Sequence, residues 1–100
     1  MSIQRIVGLH VFDDSTYKTY REKMTPILKT YGGGFAYDFK IEETLQNESG
    51  KPINRLFVIY FKDEDALNEF FSNPQYLEIK QEFFEKSVDS TVEIGRYLSN

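Results

Sequence analysis

Few residues of this chain are suited to chemistry by type and setting. His10 is the single histidine. It falls late in an apolar segment, on the alternate positions shared with Ile6, Gly8 and Phe12. As a reactive group it would act as a general base or a haem ligand. As a packing residue it would sit in a sheet or subunit interface with a backbone partner. One histidine with no cysteine or carboxylate at ligand spacing is a poor metal site, so no metal is expected. Arg55 opens a second apolar segment, among rings. It either holds the carboxylate or enolate of a small ligand, or pairs with Glu42, Glu43 or an acidic group of a partner chain. Tyr17, Tyr20, Tyr31 and Tyr37 either line a pocket and orient an apolar ligand, or pack in the core with hydroxyls reaching water.

Two motifs look more chemical than they are. A phosphate cradle runs strand, glycines, helix, so that amides at the helix start meet the phosphate. Tyr31-Gly32-Gly33-Gly34 stands in the order helix, glycines, strand, and reads as a helix stop. Ser15-x-x-Lys18 fits a serine-nucleophile pattern, but Ser15 lies at a helix cap and the rest of such a site is missing. No cofactor motif is present and none is expected.

The elements that must position these residues follow from apolar period. Ile3 to Phe12 reads as a strand, with Val7, Leu9 and Val11 alternating onto one face. Asp13-Asp14-Ser15 caps a helix whose stripe is Tyr17, Tyr20, Met24, Ile27, Leu28 and Tyr31. Pro26 inside it should kink or split it. Phe35 to Gln46 reads as a second strand, with Phe35, Tyr37, Phe39 and Ile41 on one face. Asn47 to Asn54 is a turn-rich loop. Arg55 to Phe61 is the third strand. A helix opening at Asp63 buries Ala66, Leu67, Phe70 and Phe71. Asn73-Pro74 starts another, and Thr91 to Leu98 is the last strand. The order β-α-β-β-α-β is the ferredoxin-like split βαβ. It makes a four-stranded antiparallel sheet with helices on one face and the first and third strands central.

Composition narrows the function classes. One hundred residues suit a single domain, here residues 1–100. Acidic residues outnumber basic ones 16 to 12 and the pI is near 5.0. With no basic stripe, neither nucleic acid nor a membrane is expected as a partner. The longest apolar run, Leu56 to Phe61, is far short of the roughly 20 residues a spanning helix needs. The N-terminus carries no signal-peptide core, and cysteine is absent, so the expected compartment is the cytoplasm.

Sixteen aromatic residues, nine Phe and seven Tyr, are many for a core of this size. The third strand shows where the surplus goes, because Leu56, Val58 and Tyr60 share one face and Phe57, Ile59 and Phe61 the other. A sheet with helices on one side should be polar on its open side. Four strands of about six residues present roughly 400 Å² per face. Hiding that area is worth about 10 kcal/mol gross, before association entropy. The simplest cover is a second copy about a two-fold axis, so a homodimer is expected.

Several segments resemble the DUF1330 family. Tyr17-x-x-Tyr20, Pro26 and Tyr31-Gly32-Gly33 match its first half. Arg55-Leu-Phe-Val-Ile-Tyr-Phe61 looks like its Arg-led apolar strand. Ser72-Asn73-Pro74-Gln75-Tyr76 is similar to its Ser-Pro-Glu-Tyr helix start. The likeness runs from Val7 to roughly Val92. It implies a dimeric α+β barrel, in which ferredoxin-like chains pack sheet to sheet. Relatives by fold include antibiotic-biosynthesis-type and haem-degrading monooxygenases and chlorite-dismutase-like proteins. Arginines often seen in the family are Gly34 and Phe83 here, which leaves Tyr17, Tyr20, Tyr31 and Arg55 as its matching polar positions. Three functions are carried forward. The first is a small organic ligand in a pocket between sheet and helices, with Tyr17, Tyr37, Arg55 and His10 as polar groups. The second is a cofactor-independent monooxygenase acting on a small aromatic substrate, with His10 as base. The third is an interaction module without a pocket.

Overall fold

The computed structural model describes residues 2–99. They form β1 (Ser2–Val11), α1 (Asp14–Thr30), β2 (Gly34–Lys40), β3 (Arg55–Phe61), α2 (Glu64–Ser72), α3 (Pro74–Ile79), a π-helical turn (Lys80–Phe84) and β4 (Val88–Ser99). The strands pair antiparallel in the order β2-β3-β1-β4. This is the expected ferredoxin-like sheet, with β1 and β3 central. The molecule is a slab of 34 × 31 × 17 Å, one sheet under one helical layer.

Each helix starts where a short polar side chain can receive an orphan amide. Asp13 accepts from Thr16 N at 3.2 Å, Asp63 from Ala66 N at 2.7 Å and Asn73 from Tyr76 N at 3.0 Å. Pro26 does not split α1, which stays one helix of 17 residues. Met24 on one side of the proline and Ile27 and Leu28 on the other are all buried, so packing holds the helix across the missing hydrogen bond. At its end Gly32 adopts φ 70°, the left-handed conformation that favours glycine. Gly33 is held tightly: a Cβ there would meet the Tyr60 carbonyl oxygen at 2.8 Å and a Leu28 methyl at 2.6 Å.

The second strand departs from expectation in length and in phase. It ends at Lys40 rather than Gln46, and residues 41–54 form the loop. Asn54 closes that loop. Its backbone N–H donates to Leu9 O and its C=O accepts from Ile41 N, while its side-chain amide exchanges two bonds of 2.8 Å with the Val11 backbone. A bulge then breaks the alternation. Phe35 pairs with Ile59, but Tyr37 pairs with Val58, so Ala36 is the extra residue. Directly paired residues share a face. Phe35 therefore lies on the helix side with Ile59, whereas Tyr37 and Phe39 lie on the open side with Val58 and Leu56. Asp38, paired with Phe57, faces the helices. The expectation that Phe35, Tyr37 and Phe39 share one face is corrected by that single residue.

The core lies between sheet and helices, around Leu9, Tyr17, Met24, Leu28, Phe61 and Phe70, all almost fully buried. On the open face the chain covers part of its own sheet. Ile53 from the loop packs on Gly8, where a Cβ would come within 2.8 Å of it. Tyr37 and Phe39 stay more than half exposed there and stack at 6.0 Å.

Candidate functional site

Between the sheet and the helical layer lies a cleft of about 300 Å³. Its floor is Val7 and Leu9 of β1 with Phe57 and Ile59 of β3. Its roof is Tyr17, Tyr20 and Met24 of α1, with Tyr76 and Phe84 from the helical region after Asn73. Both sides follow from period: positions i, i+3 and i+7 of α1 meet alternate positions of the central strands. The π-helical turn, marked by Glu85 N donating to Lys80 O five residues back, brings Phe84 within 5.0 Å of the Tyr20 ring. Its Lys80 reaches the same cleft.

The polar groups form two clusters. In the first, Tyr20 and Tyr76 hydroxyls bond to each other at 2.8 Å inside the core. Burial pushes the Tyr20 phenol well above its ordinary value, and the neighbouring Tyr76 adds to this. Burial also raises Tyr76. Both are therefore protonated donors at neutral pH.

The second cluster stands at the mouth. Arg21 lies one helical turn beyond Tyr17 and donates Nε to its hydroxyl at 2.8 Å. The guanidinium covers the Phe35 ring at 3.8 Å and reaches Asp38 Oδ2 at 3.1 Å. Arg55 grips the same carboxylate with Nε and Nη2, both at 2.8 Å, and lies 5.1 Å from the Tyr17 ring centre. Partial burial works to raise the Asp38 pKa, but the Arg55 hydrogen bonds and the Arg21 charge outweigh it and hold the carboxyl below its ordinary value. Tyr17 itself is raised by burial, against the pull of Arg21. Arg5 enters the cleft from β1, with its Nε on Glu93 at 3.1 Å.

Only part of the sequence-derived residue set meets here. Tyr17 and Tyr20 line the cleft. Arg55 stands at its margin, and its partner is Asp38 rather than Glu42 or Glu43. Tyr31 lies elsewhere, at the end of α1, where its hydroxyl accepts from Asn73 Nδ2 at 3.0 Å. Tyr37 is on the far face. So is His10, which pairs with Ser90 across β1 and β4 and places Nδ1 2.7 Å from Asp89 Oδ1. A pocket joining Tyr17, Tyr37, Arg55 and His10 is thus not what the sheet builds, because the two faces separate them. The residues not foreseen are Arg5, Arg21, Asp38, Tyr76 and Lys80. Arg21 was legible from its spacing to Tyr17; Asp38 was hidden by the bulge.

A second hollow, about 500 Å³, opens on the other face between the 41–54 loop and β4. Its walls are mostly loop residues, among them the exposed Gln46, Glu48 and Ser49, with Leu56 of β3 and residues 92–94 of β4. Among the described residues no group of three or more His, Asp or Glu is placed to hold a metal ion, and no helix is long and apolar enough to cross a membrane.

Comparison with known proteins gives the chain's relationships. The model of a domain of unknown function, DUF1330, matches residues 5–93. No curated protein matches. Among solved structures, a protein of unknown function from Rhodopseudomonas palustris superposes with a TM-score of 0.79 at 17% identity, over 96% of this chain and 80% of that one. A dabb family protein with a ferredoxin-like fold from Mesorhizobium loti gives 0.66 at 17% identity, over 99% and 97%. SnoaB, a cofactor-independent oxygenase from Streptomyces nogalater, gives 0.58 at 13% identity, over 99% and 91%. At these identities the likeness is one of fold.

Proposed function

The chain belongs to the DUF1330 family, whose domains have no assigned function, and from that placement we propose that it is a homodimeric protein that binds a small organic molecule in the cleft between sheet and helices. The observation that carries the reading is the cleft itself. Cores of this kind are close-packed, with few voids larger than a water. Where sheet and helices part, Tyr17, Tyr20, Phe57, Tyr76 and Phe84 wall a cleft of about 300 Å³ that departs from this density. It matches the lower end of ligand pockets, roughly 300–1,000 Å³. Tyr17 and Tyr20 serve as ligand contacts, while Arg55, through Asp38, holds Arg21 at the mouth.

The homodimer rests on the open face. Tyr37 and Phe39 add two exposed rings to the apolar Leu56 and Val58. A stable interface needs about 800 Å² per partner. The slab is 34 by 31 Å across on that side, so an interface of this size needs the loop as well as the strands.

The oxygenase alternative draws on fold likeness to SnoaB. It needs a base beside the substrate. His10, the base foreseen for it, lies across the sheet, and burial keeps Tyr17 and Tyr20 protonated. Ligand binding therefore has the stronger support.

Titration of the isotope-labelled protein with single-ring and two-ring organic fragments tests the reading. Amides of Leu9, Tyr20, Met24, Phe57 and Tyr76 are expected to shift together. If no fragment moves them at millimolar concentration, the cleft is not a binding site.

A further inference from the structure

We propose that the ligand of this cleft is a small aromatic carboxylate, its oxygens taken by the hydroxyls of Tyr17 and of the Tyr20–Tyr76 pair and its charge matched by Arg5 and Lys80. The inference deepens the binding reading above and rests on it. It follows from counting donors and acceptors. The Tyr17 hydroxyl accepts from Arg21, and its own proton has no acceptor among the described residues. The Tyr20 and Tyr76 hydroxyls bond to each other, but two hydroxyls need only one proton between them. The other proton also lacks an acceptor among the described residues. All three rings are at least 95% buried. Buried polar groups in native proteins are nearly always satisfied. Two spare O–H donors on one cleft therefore call for acceptor atoms brought from outside.

The charges point the same way. Arg5, Arg21 and Lys80 line the cleft, and among the described residues no Asp or Glu does. Each of the three Arg21 nitrogens already donates to Tyr17 or Asp38. Arg5 gives only Nε to Glu93, leaving both terminal nitrogens without a partner among the described residues. Lys80 forms no ion pair among them. A cationic ligand would meet these two charges, and a hydrocarbon would leave both hydroxyl protons unpaired. A bare inorganic anion would waste the aromatic walls, whose faces and edges suit a flat ring. A ring carrying a carboxylate satisfies donors, charge and walls together.

Calorimetric titration with benzoate, benzamide and benzylamine separates the possibilities, since the three share a ring and differ in charge. Benzoate is expected to bind about tenfold or more tightly than benzamide, and benzylamine not measurably. Lys80→Met should lower benzoate affinity by about tenfold, and by clearly more than it lowers that of benzamide. The paired Tyr20→Phe and Tyr76→Phe variant, with its fold checked by thermal melting, should weaken benzoate as well. Equal binding of benzamide and benzoate, or Lys80→Met without effect, would overturn the carboxylate assignment and leave the cleft a binding site for neutral molecules. The same holds if other fragments shift the cleft amides and benzoate does not. If no compound of either set binds, both readings fall.

Discussion

Asp38 and Arg55 stand on neighbouring strands and meet through two parallel 2.8 Å hydrogen bonds, Arg55 Nε to Oδ1 and Nη2 to Oδ2. This fork-to-fork geometry is the strongest form of an arginine–carboxylate pair. It exists because the extra residue at Ala36 turns Asp38 toward the helices. The same carboxylate then anchors Arg21, which crosses from α1 to β2. One acid thus ties the first helix, the edge strand and a central strand at the mouth of the cleft.

Replacing Asp38→Asn is expected to lower stability by about 1–2 kcal/mol, because two guanidiniums lose their charge partner. The loss stays below that of a fully buried pair, since the Asp38 side chain is 30% exposed. Urea unfolding of both proteins measures it. The pH dependence has a definite sign. The folded-state pKa of Asp38 lies below its ordinary 3.8, so folding favours the ionised form. Its contribution is complete above pH 3.8 and is lost as pH falls through the lower folded value. The gap between wild type and variant should therefore hold at neutral pH and close in that acid range. A gap that widens on acidification would contradict the pairing.

Gly33→Ala should destabilise the protein by about 1–3 kcal/mol, the usual cost of forcing a methyl into packed space. The new Cβ would meet a backbone oxygen, Tyr60 O, at 2.8 Å, which no side-chain rotation relieves. Gly50→Ala makes the contrast. Gly50 has a positive φ of 73° but open space around it, so it should cost only about 1 kcal/mol of backbone strain. Thermal melts of the two variants should rank in that order.

The Tyr20–Tyr76 pair makes a double-mutant cycle informative. Tyr20→Phe or Tyr76→Phe alone leaves a buried hydroxyl without its partner and should cost about 1–3 kcal/mol. The two together remove both hydroxyls and should cost less than the sum, with a coupling of about 1 kcal/mol. Additive losses would mean that the hydroxyls do not act on each other.

What could be read from residues alone tracks local rules. Asp13, Asp63 and Asn73 announced the helix starts, and the alternation of Val7, Leu9 and Val11 identified the buried face of β1. The dual-faced β3 announced an open apolar face. The candidate site was less legible because its geometry depends on features without a period. A single extra residue, Ala36, sends Tyr37 away from the cleft and Asp38 toward it. The π-helical turn from Lys80 shifts Phe84 by a fraction of a turn relative to α3, and nothing in Lys80-Gln81-Glu82-Phe83-Phe84 marks that insertion. His10 was readable as an open-face residue by alternation alone, and its separation from Tyr17 follows from that.

The sheet face offers the last test. Tyr37 and Phe39 are both more than half exposed and stack on each other away from the helices, so changing them leaves the subunit core untouched. Charged residues at the centre of an apolar interface between identical copies would face their own kind across the two-fold axis. Tyr37→Lys with Phe39→Lys is therefore expected to leave melting of the single chain within about 0.5 kcal/mol of its own stability, while driving the assembly apart. Light scattering should report twice 11.8 kDa for the wild type at micromolar concentration and 11.8 kDa for the variant. A wild-type mass of one chain would remove the homodimer, and a variant that keeps the double mass would place the interface on some other surface.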